Sequence, residues 1–198
     1  MKRICVFCSS NLGTISDYAD AAKKLGVELA NNNMELIYGG ANVGLMKAVA
    51  EEVIAQGGKV TGVITHFLAQ KHLTQQNLTR LIAVETMQER KVKMAELADA
   101  FIVLPGGFGT LEEIFEILTA AQLGFHKKPV AIINTNGYYN FLKLQLEHMV
   151  NEKMLLKPHA AIAQFVDTPE EAIKALQRYK APVIEKWIED IRRENGHM

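Results

Sequence analysis

The sequence predicts an α/β protein built on one doubly wound parallel sheet with helices on both faces. Short apolar runs bounded by Gly, Asn or Ser recur along the chain, and segments of helical period lie between them. Thr-x-x-Glu signatures mark several of the helix starts.

The first run, 4–7, follows a charged Met1-Lys2-Arg3 and opens into Cys8-Ser9-Ser10-Asn11. Helical period over 18–30 leads to a second run at 35–38 and the loop Gly39-Gly40-Ala41-Asn42-Val43-Gly44. A helix over 44–55 and a strand over 59–64 follow, then an irregular stretch at 65–79 that flanks the loops. The strand at 81–84 precedes a helix at 87–97, and the strand at 101–104 runs into Pro105-Gly106-Gly107-Phe108-Gly109-Thr110. A helix over 111–123, a strand over 130–133, a helix over 138–150 and a last strand over 162–166 complete the alternation. Capping boxes are expected at Thr86 with Glu89, Thr110 with Glu113, and Thr168 with Glu171, where Pro169 takes the first helical position. The charged end, about 183–194, reads as a helix packing through Ile184, Trp187 and Ile191.

With 198 residues, 48% of them hydrophobic, the chain can bury one substantial core and is expected to form a single domain over 1–198. Lys+Arg and Asp+Glu both total 22, so no global field points to nucleic acid or an anionic membrane as partner. The apolar start is too short for a signal peptide or a span, and the expected setting is the cytoplasm. The two cysteines, Cys5 and Cys8, have C-x-x-C spacing, yet on a strand an offset of three points them to opposite faces. They read as buried, inert thiols rather than a redox pair.

In a doubly wound sheet the ligand crevice lies beyond the carboxyl ends of the strands, where strand order reverses. The loops at 8–11, 39–44, 86–91 and 105–110 should therefore open on one rim. Glycine lets successive N–H groups approach one anion, and a helix N-terminus adds its unpaired donors and dipole. Neither glycine loop spells a Walker motif or a dinucleotide fingerprint. Arg90 and Lys91 are expected in a first helical turn, where they oppose the dipole unless an anion is bound; a solvated basic turn is the other reading. Glu113 has two readings as well. It can be the acid of a capping box, or a carboxylate that activates water or steadies an oxocarbenium-like sugar.

The run Pro105-Gly106-Gly107-Phe108-Gly109-Thr110-Leu111-Glu112-Glu113, preceded by Met87-Gln88-Glu89-Arg90-Lys91, resembles the LONELY GUY family of phosphoribohydrolases, often described as lysine decarboxylases. Val6-Phe7-Cys8-Ser9-Ser10, Tyr38-Gly39-Gly40 with Gly44-Leu45-Met46, Ala121-Gln122-Leu123-Gly124 and Asn136-Gly137-Tyr138-Tyr139 extend the likeness over most of the chain. The resemblance implies a Rossmann-like homodimer that hydrolyses the N-glycosidic bond of a nucleoside 5'-monophosphate, with no metal or organic cofactor. It implies Arg90 and Glu113 as the catalytic pair. Ser10, Gly39, Gly40, Gly44, Met87, Lys91, Gly106, Gly107, Gly109, Thr110, Glu112 and Thr119 would hold or approach the substrate. Ala41 and Lys47 stand where many relatives carry glycine, relatives often place a glutamate near His72 in Gln70-Lys71-His72-Leu73, and a histidine is common at Gln88. A non-catalytic nucleotide-binding or carrier module using the same pocket is the alternative.

Overall fold

A computed structural model describes residues 1–71 and 74–182. His72 and the expected helix at about 183–194 lie outside the described residues. The strands are β1 (Arg3–Phe7), β2 (Glu35–Tyr38), β3 (Val60–Thr65), β4 (Arg80–Val84), β5 (Ala100–Val103), β6 (Val130–Ile133) and β7 (Ala163–Val166). They form one seven-stranded sheet in the order β4-β3-β2-β1-β5-β6-β7, with every pairing parallel. The order runs outward from β1 to β4 and then restarts at β5 on the other side of β1. The crevice expected of such a sheet therefore falls at the carboxyl ends of β1 and β5.

The main helices are α1 (Ser16–Asn31), α2 (Gly44–Ala55), α4 (Met87–Leu97), α5 (Phe108–Gln122), α6 (Asn140–Asn151) and α8 (Pro169–Arg178). Two short ones, α3 (His66–Gln70) and α7 (Lys157–Ala160), were not predicted. The stretch at 65–79 is thus not wholly irregular: Thr65 caps α3 by accepting from the Leu68 N–H, and Thr74 bridges to Ala41.

Alternation along the strands gives each face its own core. Ile4, Val6, Leu36 and Ile102 pack with Leu25, Leu29, Val49 and Leu176 of α1, α2 and α8. Cys5, Phe7, Ile37, Phe101 and Val103 pack with Met94, Ile114, Ile117 and Leu146 of α4, α5 and α6. Cys5 and Cys8 fall in different cores, free and buried, and burial holds both thiols well above their ordinary pKa. An unionised buried thiol is a poor nucleophile, and the two thiols face different cores, so their C-x-x-C spacing does not bring them together.

The capping expectations divide. Thr168 and Glu171 form a full reciprocal box, and Thr86 accepts from the Glu89 N–H. Thr110 does not cap: α5 starts at Phe108 with Gly107 as its N-cap, which places Thr110 in the first turn and Glu113 in the second. The reason is the backbone at Gly107, which turns extended chain into helix three residues before the first capping side chain.

Candidate active site

Three loops are stitched together at the carboxyl ends of β1, β2 and β5. The Ser9 N–H donates to the Pro105 carbonyl at 3.1 Å, and the Leu45 N–H donates to the Ser9 carbonyl at 3.1 Å. Gly44 makes the second contact feasible: its φ is +52°, and a Cβ there would lie 2.2 Å from the Ser10 carbonyl carbon. The stitched loops enclose a cleft of about 290 Å³.

Of the residues expected from sequence, Ser10, Gly39, Met87, Arg90, Gly107, Gly109, Thr110, Glu112 and Glu113 line this cleft. Gly40, Gly44 and Gly106 are not among the lining residues, though each sits in a loop that contributes some. The Gly40 carbonyl accepts from the Gln75 N–H, and a Cβ on Gly106 would sit 2.1 Å from the Thr110 hydroxyl oxygen. Lys91 and Thr119 are not among the lining residues. Lys91 points to Glu112 and to Glu116, 2.9 Å from the latter, and Thr119 lies on α5 six residues beyond Glu113, outside the cleft. Met46, Met94, Phe7 and Phe108 line the cleft without having been singled out in the sequence. Phe7 ends β1, and Met46 and Phe108 lie in the first turns of α2 and α5, positions that could have given them away; Met94, in the third turn of α4, carried no such signal.

Arg90 lines the cleft beside Glu113, but not from the unpaired first turn expected of it: its N–H already donates to the Thr86 carbonyl, and Lys91 follows it into the ladder of α4. Arg90 is not part of a solvated basic turn, being only 6% exposed. Its Nε donates to the Val63 carbonyl at 2.9 Å and Nη2 to the Gly39 carbonyl at 3.0 Å, while Nη1 lies 3.8 Å from Glu113 Oε1. Gly39 supplies the room, since a Cβ there would stand 1.8 Å from Nη2. The guanidinium is therefore fixed by carbonyls of β3 and of the loop after β2, and aimed at one carboxylate.

Glu113 is held above the usual carboxylate range, at about 7, chiefly because burial disfavours its charged form. Arg90 and Lys91 pull it down, while Glu112 and Glu116 push it up. The hydrogen bond to Glu112, above all, raises the Lys91 pKa, so its ammonium stays charged between two carboxylates. A carboxyl that titrates near neutrality beside a fixed cation can accept or return a proton at physiological pH.

The anion half of the cleft comes from α5. The Leu111 N–H makes the bond back to Gly107, so the N–H groups of residues 107–110 precede the intrahelical ladder. A Cβ added at Gly107 or at Gly109 would meet no atom within 4 Å, so open space lies over those donors. Such a terminus suits one phosphate. Among the described residues, no group of three or more His, Cys, Asp or Glu is placed to hold a metal ion.

A family model described as "Possible lysine decarboxylase" matches residues 46–176. A cytokinin riboside 5'-monophosphate phosphoribohydrolase of Arabidopsis thaliana is 44% identical over 93% of this chain and 86% of its own length. A second Arabidopsis enzyme of the same name is 45% identical over 89% of this chain and 82% of its own. Among solved structures, the molybdenum cofactor binding protein of Rippkaea orientalis superposes with a TM-score of 0.69 at 22% identity, covering 89% of this chain and 95% of that one. The molybdenum cofactor carrier protein of Chlamydomonas reinhardtii gives 0.68 at 19% identity, with 89% and 96% covered, and both likenesses bear on the Rossmann-like fold alone. On the glycine-loop motif, the family match and these identities together, the chain belongs to the LONELY GUY family of phosphoribohydrolases, the group whose model carries the lysine decarboxylase description.

Proposed function

We propose that this protein hydrolyses the N-glycosidic bond of a nucleoside 5'-monophosphate, AMP or a cytokinin riboside 5'-monophosphate, and releases the free base and ribose 5-phosphate. The observation that carries the reading is the buried Arg90–Glu113 pair, 3.8 Å apart, at the edge of the α5 N-terminal turn. The phosphate binds the N–H groups of residues 107–110 and thereby sets the ribose beside Glu113. Glu113, ionised, takes a proton from water as the water oxygen bonds to C1' and the C1'–N bond breaks. That proton passes on to the departing base, so nothing is oxidised or reduced and no cofactor is required. Arg90 offsets part of the rise that burial imposes on the Glu113 pKa and so favours the ionised form, Thr110 and Glu112 approach the sugar, and Ser10, Gly39 and Met87 close the base side. Lys91 contributes its charge from behind Glu112.

The reading extends to residues 1–198 as one unit acting as a homodimer in the cytosol. Val92, Phe115, Leu123 and Phe125 on α4, α5 and the following turn are 44%, 38%, 44% and 80% exposed, a larger apolar display than a monomer needs. Thr119, on the same helix and outside the cleft, would reach a ligand only from a second copy. Both thiols are free, as suits a reducing compartment, and no helix among the described residues is long and apolar enough to cross a membrane.

The test is kcat/KM for adenosine, AMP, ADP and ATP at fixed salt, with released adenine measured by chromatography. AMP should exceed the other three by at least about a hundredfold, because binding energy at one phosphate is used to position the sugar. Equal values for adenosine and AMP would make the glycine loops structural turns. Tight binding of both AMP and a cytokinin riboside 5'-monophosphate with no base released from either would make the pocket a carrier site.

A further inference from the structure

The segment Asn134–Tyr139 lies outside the cleft, yet it reaches the loop that forms it. Asn136 and Gly137 both adopt left-handed backbone, with φ of 51° and 72°. The turn they make is locked on each side. Asn134 Oδ1 accepts from the Tyr139 N–H at 2.7 Å, Asn134 Nδ2 donates to Asn140 Oδ1 at 2.9 Å, and Asn136 Nδ2 donates to Asp17 at the start of α1. The Tyr138 ring then packs edge-on against Tyr18 and Tyr139, with centroids 5.5 and 4.9 Å away. Its hydroxyl donates to the Gly106 carbonyl at 2.8 Å.

That bond fixes a direction. In a trans peptide the C=O of one residue and the N–H of the next point opposite ways in one plane, and the Gly106–Gly107 bond is trans. The Gly106 carbonyl points to Tyr138, which does not line the cleft, so the Gly107 N–H points away from Tyr138, and Gly107 does line the cleft. Ser9 holds the Pro105 carbonyl before this peptide and Leu111 holds the Gly107 carbonyl after it, while Gly106 and Gly107 have no side chains of their own to orient the plane between them; Tyr138 supplies the bond to that plane. We infer that Tyr138 is a positioning residue for the phosphate: its hydroxyl sets the Gly106–Gly107 peptide so that the Gly107 N–H is presented to the anion before substrate arrives. This rests on the nucleoside monophosphate reading of the cleft, and it assigns part of that site's phosphate selectivity to a residue that touches no substrate.

The test is Tyr138→Phe, which removes the hydroxyl and keeps the ring stack. The KM for AMP and the inhibition constant of inorganic phosphate should rise together, each by about tenfold, the scale of one lost hydrogen bond. The kcat should stay within about twofold, the inhibition constant of free adenine should not move, and the melting temperature should remain close to that of the wild type, since one part-buried hydrogen bond is a small part of stability. An unchanged phosphate constant, or a parallel loss of adenine and phosphate binding, overturns the inference. Wild-type protein that releases no base from any monophosphate and is not protected by phosphate instead overturns the reading of the cleft, so the two failures are told apart in one series.

Discussion

At Glu113 the protein holds a carboxyl where solvent cannot stabilise its charge, and two further glutamates on the same helix lie close enough to oppose ionisation. The consequence for stability has a definite sign. The folded-state pKa of about 7 stands above the ordinary 4.5, so this group's contribution to stability is complete below about pH 4.5 and is lost as pH rises through 7. The loss amounts to roughly 3 kcal/mol at full ionisation. Glu113→Gln should remove that dependence: its melting temperature at pH 8 should equal or exceed the wild type's, while turnover falls by at least about a thousandfold. A stable and fully active variant would falsify the role given to the carboxylate. Since the ionised form does the work, kcat/KM should climb with an apparent pKa near 7. Arg90→Ala should move that climb to higher pH, because Arg90 is the strongest influence holding the Glu113 pKa down. The same variant should unfold more easily by about 3 kcal/mol, having left a buried acid and two carbonyls without their cation. Position in the sequence left Arg90 open between an anion-binding cation and a solvated basic turn, and burial removes the second reading. Nothing in the string Glu89-Arg90-Lys91 distinguishes the buried cation from its neighbour; the carbonyls of Gly39 and Val63, far away in sequence, decide it.

At the scale of elements, α5 is where local rules and function separate. Gly109 sits at the second position of the helix, with φ in the ordinary range and nothing within 4 Å of a Cβ. Alanine there should raise stability by up to about 1 kcal/mol through helix propensity. It should also place a methyl group over the first-turn N–H groups and so weaken AMP binding severely. A rise in melting temperature paired with a rise in KM would mark Gly109 as a ligand-driven choice; a rise in melting temperature alone would not. Gly39→Ala should behave differently, losing turnover through displacement of the Arg90 guanidinium, read as a fall in kcat. The strands and the long helices were legible because each shows its own period over enough residues. Helices α3 and α7, of five and four residues, complete barely one turn and carry no period to read. The false cap at Thr110 has a related cause: a Thr-x-x-Glu string looks the same whether it starts a helix or lies inside one that glycines have already begun.

For the whole molecule, the switch between β1 and β5 explains why residues from positions 10, 39, 90 and 113 converge on one cleft. That convergence was predictable from the alternation of strands and helices; which side chains would turn inward was not, because it depends on loop contacts such as Ser9 with Pro105. The proposed homodimer belongs to this scale too. Replacing Phe125 and Val92 with aspartate should yield monomers in analytical ultracentrifugation, and a partner-supplied Thr119 would then be absent from the site. A monomeric wild type would remove that proposal. The register of β1 has one more consequence, this time for how the chain folds. Ile4 pairs with Leu36 on one side and with Ala100 on the other, and the Lys2 and Arg3 N–H groups both donate to Asp99. The central strand therefore gains its second neighbour only after a loop of nearly a hundred residues has closed, and such non-local parallel pairing is intrinsically slow. A chain emerging from the ribosome can lay β1 to β4 together early, but it has no cleft until β5 docks. During refolding from urea, helical circular dichroism should thus recover before AMP hydrolysis does, and Asp99→Ala, which loosens the β1–β5 junction, should widen the interval between the two.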